Sequence, residues 1–236
     1  MNLLLFTPED CPEPGRIRLG GRRLQHVTGV HRAGVGETLR VGLLGGEMGA
    51  ATIVALSPET LELEYTLDQP PPPKLPLTLL LGLPRPKMLK RILQTIAALG
   101  VQRLILMHSY RVEKSFWHSP WLEPAALREQ LLLGLEQARD TVLPEVSIEP
   151  RFKPFVEDRL PALCQDRRCL LAHPATAAAC PVAVNQPLVL AIGPEGGFIP
   201  YEVEKLVAAG FAPVHLGPRI LRVETAVPAL VSRLFT

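Results

Sequence analysis

Four consecutive prolines, Pro70 to Pro73, constrain this chain more than any other run in it. Such a run favours stiff polyproline II and can continue neither a helix nor a central strand. It divides the 236 residues into two parts, each needing a core of its own. We expect domains over 1–69 and 77–236, with 70–76 as a semi-rigid linker. Proline is frequent throughout, at 25 residues, well above the usual ~5%. Yet 47% of residues are hydrophobic and 20% charged, which is not a disordered composition. The prolines punctuate a globular fold.

Before the linker, Arg16–Leu19, Thr38–Leu44, Ala50–Leu56 and Thr60–Leu67 read as strands, and Arg22–Arg32 as the one helix. The last strand alternates, with Leu61, Leu63, Tyr65 and Leu67 on one face and Glu62 and Glu64 on the other. A small β-barrel-like module of 1–69 follows from this pattern.

After the linker, strands and helices take turns. Leu77–Leu83, Arg103–Met107, Glu145–Ile148, Cys169–Ala172, Leu188–Ile192 and Val214–Leu216 are strand-like. Lys87–Leu99 has helical spacing and stops at Gly100. Ser119-Pro120 offers an N-cap and a first-turn proline for a helix to about Arg139. Helices are also expected at Phe155–Cys164, Tyr201–Ala209 and up to Phe235. Apolar strands spaced by helices predict an α/β fold with a parallel sheet.

The formal net charge is only +2, so a polyanion would have to meet a local cluster. Residues 1–74 carry seven Lys/Arg against nine Asp/Glu, whereas 85–114 carry seven against the single Glu113. The second segment is the stronger candidate for a phosphate-facing surface, with a solvated helix face as the alternative. Cys11, Cys164, Cys169 and Cys180 form no C-x-x-C pair, and the histidines show no ligand spacing, so no metal is expected. The start lacks the pattern of a signal peptide, and no apolar run reaches membrane-spanning length. A soluble, cytoplasmic protein with reduced thiols is expected.

The motifs of P-loop nucleotidases, zincins and α/β hydrolases are missing. Gly34-Val35-Gly36 precedes a strand, where a dinucleotide fingerprint must follow one. Three loops remain at the C-terminal ends of expected strands, where open α/β sheets bind ligands. They are Leu171-Ala172-His173-Pro174, then Ile192-Gly193-Pro194-Glu195-Gly196-Gly197-Phe198, then Leu216-Gly217-Pro218-Arg219-Ile220-Leu221-Arg222-Val223-Glu224-Thr225. Glycines there either let the backbone approach a ligand or merely turn the chain. Glu195 argues against a phosphate cradle and is compatible with a cationic nucleoside.

Taken together, these strings resemble the RsmE family, the 16S rRNA (uracil-N3) methyltransferases of the SPOUT superfamily. Leu190 to Phe198, followed by Glu202, is similar to that family's cofactor loop and next helix, and Leu216 to Ala226 to its C-terminal signature. Weaker matches are Ala98-Leu99-Gly100-Val101, Glu136-Gln137, Pro144-Glu145 and His173-Pro174. The resemblance implies a SPOUT-type parallel sheet with a C-terminal trefoil knot, preceded by a PUA-like β-barrel that binds RNA. It also implies bound S-adenosylmethionine and a homodimer acting on small-subunit ribosomal RNA.

The sequence departs from the family pattern in three places. Asp140 stands where an arginine is usual, with Arg139 shifted by one. The barrel's aspartate-glycine turn reads Leu43-Leu44-Gly45-Gly46, and a Val-Leu-Arg helix end reads Val30-His31-Arg32.

The resemblance implies cofactor contacts from Leu171, His173 and Pro174, from Ile192 to Gly197, and from Leu216, Gly217, Arg219, Ile220, Leu221 and Thr225. Arg222 is the expected electrostatic stabiliser of charge on the uracil oxygens, since arginine offers several fixed donors. Glu224 is the nearest carboxylate to accept the proton; its alternative is stabilisation of a helix N-terminus. Arg32, Arg85, Lys87 and Arg111 are the candidate phosphate contacts. Trp117 and His118 are candidates for stacking on a base, or else for anchoring the surface. Two other readings stay open: a knotted methyltransferase acting on another RNA or atom, such as a ribose 2′-oxygen, and a cofactor-binding assembly factor without turnover.

Overall fold

The computed structural model describes residues 2–184 and 186–235, which form two compact units. The N-terminal unit runs through Pro73 and includes Leu132–Leu143; Lys74–Leu131 and Pro144 onward make the C-terminal unit.

In the N-terminal unit, β1 (Leu4–Phe6) and β2 (Arg16–Leu19) precede α1 (Gly21–His26), which runs into a π-helical turn, Val27–His31. Then come β3 (Thr38–Leu43), β4 (Met48–Leu56) and β5 (Leu61–Gln69). They form a five-stranded sheet in the order β1-β3-β4-β5-β2, antiparallel except for β1 along β3. The alternation on β5 sorts as its period demands. Leu61 and Leu63 are fully buried with Phe6, Ile17, Leu19 and Val41. Glu64 and Glu62 stand opposite Arg16 and Arg18 and accept hydrogen bonds from them at 2.9 and 3.0 Å. β1 was not expected, because so short an apolar run, Leu3 to Phe6, carries no readable period.

Residues 132–143 lie inside the expected 77–236 span but belong to the N-terminal unit, and the bonding explains why. The Asn2 and Leu3 amides donate to the Glu136 carbonyl at 2.9 and 3.0 Å. The Arg22 guanidinium grips the buried Glu136 carboxylate through both oxygens, at 2.9 and 2.8 Å. Thr141 donates its hydroxyl to the Gly46 carbonyl, and Gly45 donates its amide to the Thr141 carbonyl.

The C-terminal unit begins with β6 (Leu75–Gly82), α2 (Pro86–Ala98) and β7 (Val101–Met107). The chain continues through α3 (Pro124–Ala138), β8 (Glu145–Glu149), α4 (Phe152–Pro154), a π-helical turn and α5 (Leu160–Cys164). It ends with β9 (Arg168–Ala172), β10 (Leu188–Ile192), α6 (Pro200–Ala208), β11 (Ala212–Val214) and α7 (Val223–Phe235). Six strands pair in parallel in the order β11-β9-β10-β6-β7-β8, the α/β arrangement the sequence predicts. Leu80, Ile105, Leu171, Val189 and Ala191 pack on one face with Phe155, Leu160 and Leu206. Their neighbours Leu79, Leu81, Leu104, Leu106, Leu188 and Leu190 are equally buried, so both faces are covered and the strands read as unbroken apolar runs.

Several expected boundaries move. Ser119 caps only a single 3-10 turn, Pro120–Leu122, and the long helix starts at Pro124, a second first-turn proline. The strand expected at Val214–Leu216 lies at Ala212–Val214; it sits at the sheet edge, where Pro213 is tolerated. The linker ends earlier, since β6 already includes Pro76, and its register with β7 shifts between Leu75 and Thr78. Among the described residues no helix is long and apolar enough to cross a membrane.

Candidate functional site

β6 and β10 lie side by side, and their following strands, β7 and β11, fall on opposite sides of this pair. Such a reversal marks the place, beyond the carboxyl ends of the two strands, where open α/β sheets usually bind ligands. The loop after β10 is folded tightly there. The Gly197 amide donates to the Pro194 carbonyl at 2.7 Å. Glu195 turns its carboxylate onto the Arg85 amide at 2.9 Å, at the N-cap of α2. Its charge therefore serves a helix N-terminus.

Arg111, from the loop after β7, donates its guanidinium to the Gly196 carbonyl. A side chain at Gly196 would bring its Cβ to 2.9 Å from the Arg111 stem. That glycine is thus explained by packing between loops, whereas Gly217, at φ +115°, has open space around it.

Glu202, in the first turn of α6, ties the two loops together. Its carboxylate, 2% exposed, accepts the Tyr110 amide at 2.7 Å and the Ile199 amide at 3.0 Å. The second bond is one half of a capping arrangement; the first fixes the loop after β7 beside the loop after β10. The sequence matches Glu202 to a family pattern without indicating the partner at Tyr110, 92 positions away.

The loops after β9 and β11 also meet. The His173 amide donates to the Val214 carbonyl at 2.9 Å, and His215 exchanges main-chain bonds with Ala178 and Cys180. The Gly217 amide closes a turn on the His215 imidazole Nδ1 at 2.9 Å. Leu171 and Ile192 are buried. Pro174, Arg219, Ile220 and Leu221 are exposed, and Leu216 is half-buried.

Arg222 accepts the Thr225 and Ala226 amides on its carbonyl at 2.9 and 2.8 Å and leaves its side chain exposed. Glu224 is half-buried in the first turn of α7. Among the described residues Arg222 and Glu224 form no ion pair with each other. The expected cofactor and catalytic residues thus follow β9, β10 and β11, three adjacent strands, at one end of the sheet.

The basic segment is less uniform than its sum. Arg103 is bonded to Glu145 at 2.7 Å, and Lys90 lies over the Trp121 ring at 3.9 Å. Arg85, Lys87, Arg91, Arg111 and Lys114 remain exposed. Arg32 belongs to the N-terminal unit, exposed and left-handed at φ 54°. Trp117 donates its indole N–H to His108 Nδ1 at 2.9 Å, which favours the anchoring role, while His118 is exposed; Tyr110, beside the exposed cations, leaves most of its ring in solvent. The four thiols are free. A hydrogen bond between Cys164 and Cys169 raises the first thiol's pKa and lowers the second's. Among the described residues no group of three or more His, Cys, Asp or Glu gathers as for a metal.

A sequence model of the RNA methyltransferase domain family matches residues 71–235. Ribosomal RNA small subunit methyltransferase E of Treponema pallidum is 29% identical over 96% of this chain and 87% of its own length. The protein of the same name from Synechocystis is 30% identical over 94% of this chain and 73% of its own. In structure, the chain superposes with a TM-score of 0.74 on that methyltransferase from Neisseria gonorrhoeae, solved bound to S-adenosyl methionine, at 24% identity over 98% of this chain and 95% of that one. A match to these relatives over nearly all of this chain, on a parallel sheet whose turn-rich loops gather at one end, makes this chain a member of the ribosomal RNA small subunit methyltransferase E (RsmE) family.

Proposed function

We infer that this chain is an S-adenosylmethionine-dependent methyltransferase of small-subunit ribosomal RNA, and that its target is N3 of a uridine in 16S rRNA. The observation that carries the reading is the gathering of three loops beyond β9, β10 and β11 in a chain of this family. The loops suit the cofactor chemically. They offer main-chain amides and carbonyls with little side chain in the way, and Gly217 leaves open space where a Cβ would stand. Leu171 to Pro174, Ile192 to Gly197 and Leu216 to Leu221, with Thr225, would hold it. The bound cofactor supplies an electrophilic methyl on its sulfonium.

The chain's own residues then have two tasks. Arg222, exposed at the start of α7, stabilises negative charge on uracil O2 or O4 as the imide loses its proton. Glu224, two residues further, accepts that proton directly or through a water. Arg85, Lys87 and Arg111 face RNA phosphates from the C-terminal unit, and Arg32, which forms no ion pair among the described residues, does so from the N-terminal one.

The finer architecture belongs to the same reading. A trefoil knot is supported by the segment after β9: Ala183 and Val184 donate to the Arg233 and Leu234 carbonyls of α7, and Arg233 donates to the Cys180 carbonyl at 2.8 Å. A knot would set the terminal helix against this segment. A PUA-like domain is supported by the five-stranded sheet of the first unit. A homodimer is supported by apolar side chains left in solvent, Ile220 at 83% and Val182 at 60%. A cytoplasmic location follows from such a substrate.

Mass mapping of ribosomal RNA from cells with and without this protein tests the reading. The expected result is one uridine of 16S rRNA that loses a base methyl when the protein is absent. A missing ribose methyl, or an unchanged 16S rRNA, would overturn the assignment.

A further inference from the structure

Tyr110 leaves 77% of its surface in solvent, although a ring of its kind usually buries most of its area. It is not a floppy side chain on a loose loop. Its own amide is held by Glu202 at 2.7 Å. The next residue, Arg111, is held to the Gly196 carbonyl, and buried Val112 closes the turn onto the Ser109 carbonyl at 3.0 Å. The ring is thus presented on a fixed backbone, immediately beyond β7 and beside the loop after β10, with little backbone freedom left to lose on binding. Exposed cations Arg111 and Lys114 follow it in the chain, with one exposed acid, Glu113, between them. Arg85 comes to the same loop through its amide bond to Glu195.

We propose that the Tyr110 ring is the stacking platform for the unstacked pyrimidine base of the RNA substrate; this rests on the function proposed above. RNA-binding surfaces read splayed bases by stacking them on aromatic faces while cations track the phosphates. Tyr110 combines both features next to the loops assigned to the methyl donor. The two tryptophans nearby are already committed, Trp117 to His108 and Trp121 to Lys90.

The test compares the wild type, Tyr110→Phe and Tyr110→Ala, each saturated with S-adenosylmethionine. A labelled oligouridylate and an abasic oligomer of the same length and charge serve as probes. Tyr110→Ala should weaken oligouridylate binding by about 5- to 150-fold, the range of one stacked base. It should leave abasic binding and cofactor affinity unchanged, and Tyr110→Phe should keep most of the discrimination. Equal losses on both probes, or no loss on either, would overturn the proposal. So would a weaker dimer in sedimentation with discrimination intact, because the ring would then belong to an interface with a second copy. A wild type that binds both probes yet methylates no ribosomal RNA would instead count against the proposed function.

Discussion

Replacing Glu202 should unfasten two loops at once. Its carboxylate is 2% exposed and accepts two main-chain amides, Tyr110 at 2.7 Å and Ile199 at 3.0 Å. A hydrogen bond to a charged group contributes about 1.5–3 kcal/mol. Glu202→Ala removes both acceptors and leaves the two donors unpaired, so the expected cost is about 3–6 kcal/mol, a large share of the ~5–15 kcal/mol that holds a domain together. Glu202→Gln keeps one acceptor and turns an amide N–H toward the other donor, so about half that cost is expected.

The sharpest assay is site-resolved hydrogen exchange. In Glu202→Gln the Tyr110 or Ile199 amide should exchange at least tenfold faster, since each 1.4 kcal/mol of opening energy is one decade. Urea unfolding gives the global cost in parallel. S-adenosylmethionine affinity should fall as well, because the loop after β10 loses its brace. An alanine variant that loses less than about 1 kcal/mol, with both amides exchanging as in the parent, would refute the reasoning.

Asp10 and Lys87 give two further tests. Burial opposes ionisation of Asp10, but hydrogen bonds from Arg23 and the Thr7 amide outweigh it and hold the carboxyl below its usual range. Its contribution is therefore complete above the unfolded value of ~3.9 and is lost as pH falls through the folded value. The stability gap between wild type and Asp10→Asn, followed by urea unfolding, should shrink in acid, and a gap independent of pH would exclude this linkage. Lys87→Ala should flatten the plot of log RNA affinity against log salt by about 0.7–0.9, with cofactor affinity unchanged, whereas an unchanged slope returns Lys87 to a solvated helix face.

The parallel sheet was legible because its strands are buried on both faces. Leu77–Leu83 and Leu188–Ile192 then read as continuous apolar runs, and Gly100, at φ +72°, marks where a helix stops. What stayed hidden were bonds between residues far apart, which leave no period. The clearest case concerns the departures from the family pattern. Read along the chain, the Leu43–Gly46 turn and Asp140 are two separate changes, each a reason to expect a different RNA target. In the fold they are neighbours: Thr141 donates to the Gly46 carbonyl across 95 positions, and Gly45 donates back to Thr141. A Cβ at Gly42 would come within 2.7 Å of the Thr141 methyl. Asp140 itself is 3% exposed and accepts the Val142 amide at 2.9 Å, so its carboxylate shapes the returning segment. The turn and the segment that follows Asp140 are thus braced against each other, which gives both departures a structural role that the sequence does not reveal. Beyond β6, β7 and β10, Arg85, Tyr110 and Arg111 stand exposed around the loop that Glu202 holds in place, and discrimination is to be sought there as well.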